Sequence, residues 1–313
     1  MGALTLRGKL DRLWPYATLA GLFIALSIAS PHFLTVQNLS SVTRQTAVIN
    51  IIALGMTLVI ISGGIDLSVG ALVGFCSILG ATVLAKGAGI PLSLGAAAGC
   101  GLLWGALSGT LIVVLRISPF IVTLGMMGMV RGLALVVSRG LPVVGIPQGF
   151  ERVGEGNLGP LPVPLVMLAI LSVAMHFLLE RTKLGRYAYA MGSNPEAARY
   201  AGVPLNLCTV SIYAILGMLT GLASMIETSR LMTGQPTAGD GYELRAIAAV
   251  VIGGGSLNGG EGTVAGTLVG AFIMGLLANG ANLLGVSSFW QQVLIGAVII
   301  AAVGLDGWRK RRA

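Results

Sequence analysis

The sequence predicts an all-α polytopic membrane protein of about ten transmembrane helices, and three observations carry that expectation. Of 313 residues, 55% are apolar and only 10% charged, where soluble domains carry about 25% charged residues. Mean hydropathy is +0.90. The apolar residues fall into runs near the ~20 residues a helix needs to cross a bilayer, and no soluble catalytic domain interrupts them.

The runs follow in order. The first, 15–34, comes after Arg7, Lys9 and Arg12 and reads as a span rather than a cleaved signal. The next six lie at 46–62, 67–85, 91–115, 118–138, 161–180 and 206–226, and the last three at 244–256, 263–284 and 288–306. The second and eighth are short for a straight crossing. They read as broken or tilted helices, tolerable where they are buried in protein or line a cavity. Glycines recur four residues apart at Gly95/Gly99, Gly101/Gly105/Gly109, Gly128/Gly132, Gly217/Gly221 and Gly266/Gly270, a spacing that lets helix backbones approach closely in lipid.

Charge sets the orientation. With both termini cytosolic, the inner loops and tail hold Arg7, Lys9, Arg12, Arg116, Arg181, Lys183, Arg186, Arg199 and Arg309, Lys310, Arg311, Arg312, twelve of the 19 basic residues. The others (Arg44, Lys86, Arg131, Arg139, Arg152, Arg230, Arg245) scatter over outer loops and span ends. An even number of spans then satisfies the positive-inside rule. The basic tail reads as an anchor at the anionic inner leaflet. Because the net charge of +8 sits at segment ends, and no basic groove is interleaved with aromatics, no nucleic-acid partner is expected.

The chain reads as one transmembrane domain, 1–313, with a polar cytosolic excursion at about 181–205. Inside it sits a complete short helix: Asn194 caps it, Pro195 suits the first turn, Glu196 faces the positive helix end and Gly202 stops it. Two turns are marginal alone in water, so this helix needs a surface to lean on and looks like a plug for a partner.

Three further segments carry polar chemistry. In Ser62-Gly-Gly-Ile-Asp-Leu-Ser-Val-Gly70, Asp66 either caps the next helix at the cytosolic interface, with Gly63 and Gly64 making the turn, or the same turn is a flexible constriction on a solute path; the two are compatible. The stretch Glu227–Arg245 holds Glu227, Arg230, Asp240 and Glu243 beside an outward, turn-rich segment. Glu227 and Arg230 are one helical turn apart and can pair; the alternative is a polar vestibule or a docking surface for a soluble partner. Gly253–Gly262 fails as a phosphate loop, because no Lys follows Gly254 and Gly259, and reads as a cytosolic turn or re-entrant break. Cys76, Cys100 and Cys208 lie in apolar surroundings without ligand spacing, His32 and His176 are isolated, and no nucleophile motif occurs. No metal, cofactor or catalytic residue is expected.

With these residues in hand, the chain resembles the membrane permease subunits of bacterial ABC sugar importers, the ribose permease family, from about residue 38 to 306. The likeness rests on Gly55-Met-Thr-Leu-Val-Ile, Gly64-Ile-Asp-Leu-Ser-Val-Gly70, Leu184-Gly-Arg-Tyr, Asn194-Pro-Glu-Ala-Ala-Arg199, Gln235-Pro-Thr-Ala-Gly239, Gly241-Tyr-Glu-Leu-Arg-Ala-Ile-Ala-Ala-Val-Val-Ile-Gly-Gly254 and Asn282-Leu-Leu-Gly-Val-Ser-Ser288. It implies a fold similar to the vitamin B12-type (type II) importer permeases, a bacterial cytoplasmic (inner) membrane location, a second permease copy (homodimer or paralogue), cytosolic ATP-binding cassette ATPase subunits and a periplasmic or extracellular sugar-binding protein.

In that picture Asn194, Pro195, Glu196, Ala197 and Arg199 form the coupling helix for the ATPase. Gly63, Gly64, Asp66 and Ser68, with Ser118 and Pro119 of the Arg116–Phe120 turn, become gate candidates by loop position. Glu227, Arg230, Asp240 and Glu243 would form the outer vestibule or binding-protein dock. The implied cargo is ribose or a similar simple sugar. Rival readings are an ABC permease for the autoinducer-2 sugar or a branched-chain amino acid, and a stand-alone secondary carrier.

Overall fold

The computed structural model describes residues 2–311, so Arg312 of the expected basic anchor lies outside the described residues. Thirteen helices run along that stretch: α1 (Gly2–Ala29), α2 (Val36–Ile61), α3 (Val69–Ala85), α4 (Ile90–Leu115), α5 (Pro119–Ser138), α6 (Glu151–Gly154), α7 (Val163–Arg181), α8 (Lys183–Ser193), α9 (Pro195–Tyr200), α10 (Leu205–Leu231), α11 (Tyr242–Ile252), α12 (Val264–Leu283) and α13 (Ser288–Arg311). A two-residue antiparallel pair, β1 (Asn157–Leu158) with β2 (Leu161–Pro162), closes the loop after α6. Each of the ten apolar runs lies on a helix. Among the described residues, α2, α4, α5, α7, α10 and α12 are long and apolar enough to cross a membrane. The protein is a polytopic all-α membrane protein.

The second run is not broken. Thr35 caps α2 by accepting the Asn38 N–H, and the helix continues for 26 residues to Ile61. The polar start, Val36–Gln45, hid its first turns from a hydropathy reading. Nearly every residue from Thr46 to Ile61 is buried, and a helix that is apolar all round belongs at the centre of a bundle. Around α2 pack α7, α10, α11 and α12, whose buried side chains share one core with it. A second cluster joins α3, α4 and α5.

Glycine stripes knit two of these contacts. A Cβ on Gly101 would run into the Gly217 carbonyl, one on Gly105 into the Tyr213 carbonyl, and one on Gly221 into the Ala97 carbonyl, so α4 and α10 lie backbone to backbone. Gly266 and Gly270 meet Gly253 and Ala249 in the same way between α12 and α11. Gly95, Gly99, Gly128 and Gly132 behave otherwise: no side chain and no neighbouring element comes within 4 Å of a Cβ built on them. Spacing alone did not separate packing glycines from outward ones.

The eighth run is truly short. Helix α10 ends with Met232 in a left-handed conformation, an extended segment follows, and α11 has only 11 residues. That segment descends α3 along small residues: Gly234 lies against Ser77 and Ala81, the Pro236 carbonyl against Gly74, and Gly239 against Gly70. Val143 and Gly234 exchange N–H···O bonds of 2.8 and 2.9 Å, tying it to the outer loop. Gly154 donates to Ser229 Oγ at 2.8 Å, and Ser229 donates to the Phe150 carbonyl at 2.6 Å, which fixes α6 on α10.

Candidate functional site

The polar excursion contains two helices where the sequence suggested one. Thr182 caps α8 by accepting the Gly185 N–H at 3.2 Å. Gly185, Ala188 and Met191, at helical spacing, turn inward. The missed signal was this apolar stripe behind a threonine cap. Asn194 then accepts the Ala197 N–H at 2.9 Å and starts α9, with Pro195 in its first turn and Glu196 at its positive end. Gly202 (φ 80°) ends the turn, its N–H bonded to the Arg199 carbonyl at 3.0 Å. Ala198 is buried, whereas Asn194, Pro195, Glu196, Ala197 and Arg199 are exposed and Tyr200 is 91% exposed. The result is a small projecting surface on a seated base.

The base is built on close backbone contact. A Cβ on Gly192 would collide with the Ile61 carbonyl at the end of α2, and Gly260 donates its N–H to that carbonyl at 2.8 Å. Tyr189 donates its hydroxyl to the Gly262 carbonyl at 2.7 Å. Burial, with the Glu180 carboxylate adding to it, raises the Tyr189 phenol above its ordinary range, so it remains a donor. The glycine-rich Gly253–Gly262 turn therefore serves as the seat for α8. Beside α9, a groove of about 1170 Å³ is bounded by Ile112, Arg116, Arg199, Val203 and Leu205.

The Gly63–Ser68 turn lies nearby, above the end of α2. Asp66 is 3% exposed, and its Oδ1 accepts from the Ser68 N–H at 2.7 Å and the Ser68 hydroxyl at 2.6 Å. This corrects the interfacial-cap expectation: the N-cap of α3 is Ser68, and Asp66 closes a buried turn two residues upstream. Gly63 supplies the positive φ of 82°. A Cβ on Gly64 would press on the Tyr213 hydroxyl, 2.5 Å away. The Ile65 carbonyl accepts from both Tyr213 Oη and Thr123 Oγ1 at 3.3 Å. Thr123 sits one turn into α5, just after Ser118 and Pro119, which start that helix. The Gly63–Ser68 turn and the start of α5 are thereby joined through Ile65.

Of the four residues expected at the outer vestibule, Glu227 and Arg230 pair directly. Arg230 bridges Glu227 at 3.2 Å and Glu155 at 3.3 Å, and Glu155 also holds Arg44 at 3.3 Å. Tyr242 donates to Glu227 at 3.2 Å. On the segment that leads to Asp240 and Glu243, the Pro236 and Ala238 carbonyls accept from Arg131 Nη1 at 2.6 and 3.1 Å, and the Glu243 carboxylate lies against Gly70. Arg131 was assigned to loops and span ends, yet it stands inside α5, seven residues before Ser138. A cation within the 118–138 run was the available signal. Among the described residues no His/Cys/Asp/Glu cluster could hold a metal.

Comparison with known proteins places these features in context. Residues 38–303 match the model of a family described as branched-chain amino acid transport system / permease component. The ribose import permease protein RbsC of Bacillus subtilis (strain 168) is 44% identical over 308 residues, covering 98% of this chain and 95% of that one. The protein of the same name from Escherichia coli (strain K12) is 43% identical over 289 residues, covering 91% of this chain and 90% of that one. The D-allose transport system permease protein AlsC of Escherichia coli (strain K12) is 36% identical over 281 residues, covering 90% and 86%. No solved structure matches the chain.

Proposed function

The chain belongs to the branched-chain amino acid transport system / permease component family, and on that premise we propose that it is the transmembrane permease subunit of an ATP-driven importer carrying a monosaccharide, ribose or a similar pentose, across the cytoplasmic membrane. The observation that carries this reading is the likeness to ribose import permeases along 98% of the chain. A sugar is favoured over an amino acid because the allose permease is also 36% identical. The permease is a transport component. ATP hydrolysis resides in separate cytosolic ATP-binding cassette subunits, and a periplasmic or extracellular sugar-binding protein delivers the cargo.

We further propose that the ten helical runs are ten spans in one domain, 1–313, with both termini cytosolic and a vitamin B12-type (type II) fold, paired with a second permease copy. The surface of Asn194, Pro195, Glu196, Ala197 and Arg199 is the coupling helix. When two ATPases close on ATP, α9 moves with them, and α8 passes the displacement to the end of α2 through the Gly192–Ile61 contact, a rigid-body shift rather than a local deformation. Gly63, Gly64, Asp66 and Ser68, tied to the Ser118–Pro119 turn through Ile65, stand where that shift arrives and act as the inner gate. Glu227 and Arg230, held by Glu155, form the outer dock for the binding protein.

The test is reconstitution. The permease, its ATPase and its binding protein in proteoliposomes should import radiolabelled ribose only with ATP, and unlabelled ribose should compete better than allose, arabinose or leucine. Uptake by the permease alone, without ATP, would overturn the reading in favour of a secondary carrier.

A further inference from the structure

We infer that Arg131 and Asp240 form a hydroxyl-binding station on the solute path, near the middle of the membrane. The inference rests on the sugar-importer reading and gives its path a location.

Depth comes first. Arg131 lies 12 residues after Pro119, about 18 Å along α5 at ~1.5 Å per residue. The extended segment before α11 reaches the same level, since Gly74 of α3 touches both the Arg131 guanidinium and the Pro236 carbonyl. Irregular backbone at this depth is tolerated only where protein buries it or where it lines water. Among the described residues this chain covers one side alone: Gly234, Pro236 and Gly239 are buried, while Thr237 and Asp240 are exposed.

Charge makes the same point. Arg131 has Nη1 occupied by two carbonyls, and its Nε and Nη2 donate to no protein acceptor among the described residues. Asp240 is within 4 Å of no cation in any ion pair among those residues, and it follows by two residues the Ala238 carbonyl that Arg131 holds. The Glu243 carboxylate lies against Gly70, one turn below the Arg131 contact at Gly74. An ionised group at this depth faces the bundle interior or a water-filled cavity, not lipid. The open side of this cluster is therefore a wall of an aqueous passage. A Cβ built on Gly125, Gly128 or Gly132 of α5 meets no side chain and no other element within 4 Å, which leaves room for a solute between the exposed Leu124, Met129 and Leu135 of that helix.

The chemistry suits a sugar. A carboxylate accepts from a hydroxyl and a guanidinium donates to one, so the pair addresses two neighbouring hydroxyls at once. Two such contacts make a weak station, which a solute can leave.

The experiment uses the whole transporter in intact cells and in proteoliposomes. Asp240→Ala should lower ribose uptake at least tenfold, while copurification with the ATPase and its ATP hydrolysis stay within twofold of the parent. Thr237→Cys should react with a charged, membrane-impermeant methanethiosulfonate at least ten times faster than Val173→Cys on the outward face of α7, after correction for the parent cysteines, and ribose should slow it. Uptake by Asp240→Ala within twofold of the parent overturns the station. Labelling of Thr237→Cys no faster than Val173→Cys overturns the passage. Failure of the parent to import sugar with ATP would instead strike the importer reading, and the labelling ratio still decides whether water reaches this wall.

Discussion

Gly192 of α8 rests on the carbonyl of Ile61, the last residue of α2, with no room for a Cβ between them. That contact, with the apolar stripe of Ala188 and Met191, joins the exposed α8–α9 surface to the most buried of the candidate spans. Gly192→Ala should therefore push α8 off its seat. Overpacking of this kind costs about 1–3 kcal/mol. The expected outcome is a permease that still inserts but melts several degrees lower in detergent and imports sugar at a small fraction of the parent rate. An unchanged melting point together with normal uptake would show that the seat yields easily.

Glu196 and Arg199 are exposed on α9, and among the described residues neither side chain takes part in an ion pair. The double variant Glu196→Ala/Arg199→Ala should leave the stability of the isolated permease within about 0.5 kcal/mol of the parent, as for surface substitutions away from special features. Uptake should fall more than tenfold as the ATPase is lost on purification. Normal uptake in that variant would remove α9 from the coupling role.

The glycine stripes separate by context. Gly217 faces the Gly101 carbonyl, whereas Gly95 faces open space. Gly217→Ala should force α4 and α10 apart and lower thermal stability measurably. Gly95→Ala should be neutral or slightly stabilising, since alanine is a better helix former by up to ~1 kcal/mol. Parallel melting curves of the two variants check the contrast.

Glu155 is shared between Arg44 and Arg230. Removing it in Glu155→Ala leaves Arg230 with Glu227 and Arg44 with the Asn157 side chain alone. Exposed ion pairs contribute about 0–1 kcal/mol, so a modest loss of stability is expected, larger in low salt than in high. A salt titration of the melting midpoint reads it directly.

Much of this was legible in the sequence because one-dimensional patterns encode it. All ten apolar runs proved helical, and the Asn194 cap, the Gly202 stop and the Glu227–Arg230 pair follow from local spacing. What escaped depended on contacts distant in sequence. The polar first turns of α2 lack the hydropathy of a span, yet the helix is continuous. Gly95 and Gly101 look alike in the chain and differ only in what lies opposite. The extended segment before Asp240 gave no sign in the sequence that its Pro236 and Ala238 carbonyls would hold Arg131 of α5. Helix α8 was hidden because its inward stripe is made of Gly185, Ala188 and Met191, small or flexible residues that give a weak apolar signal.

Asp66 tests whether the buried turn uses geometry or charge. Its Oδ1 takes both the N–H and the hydroxyl of Ser68, and an asparagine presents the same acceptor. Asp66→Asn should thus keep the turn, the start of α3 and the melting point, with uptake within about threefold of the parent. Asp66→Leu removes the acceptor and strands two buried donors, at ~1–3 kcal/mol for each group left unsatisfied. That variant should melt markedly lower and lose uptake. The comparison also has a diagnostic reverse: if Asp66→Asn stays folded and transport collapses, the carboxylate charge itself acts in the gate. Tyr213→Phe supplies the control, because it deletes a hydrogen bond to the Ile65 carbonyl while leaving Asp66 and its charge in place.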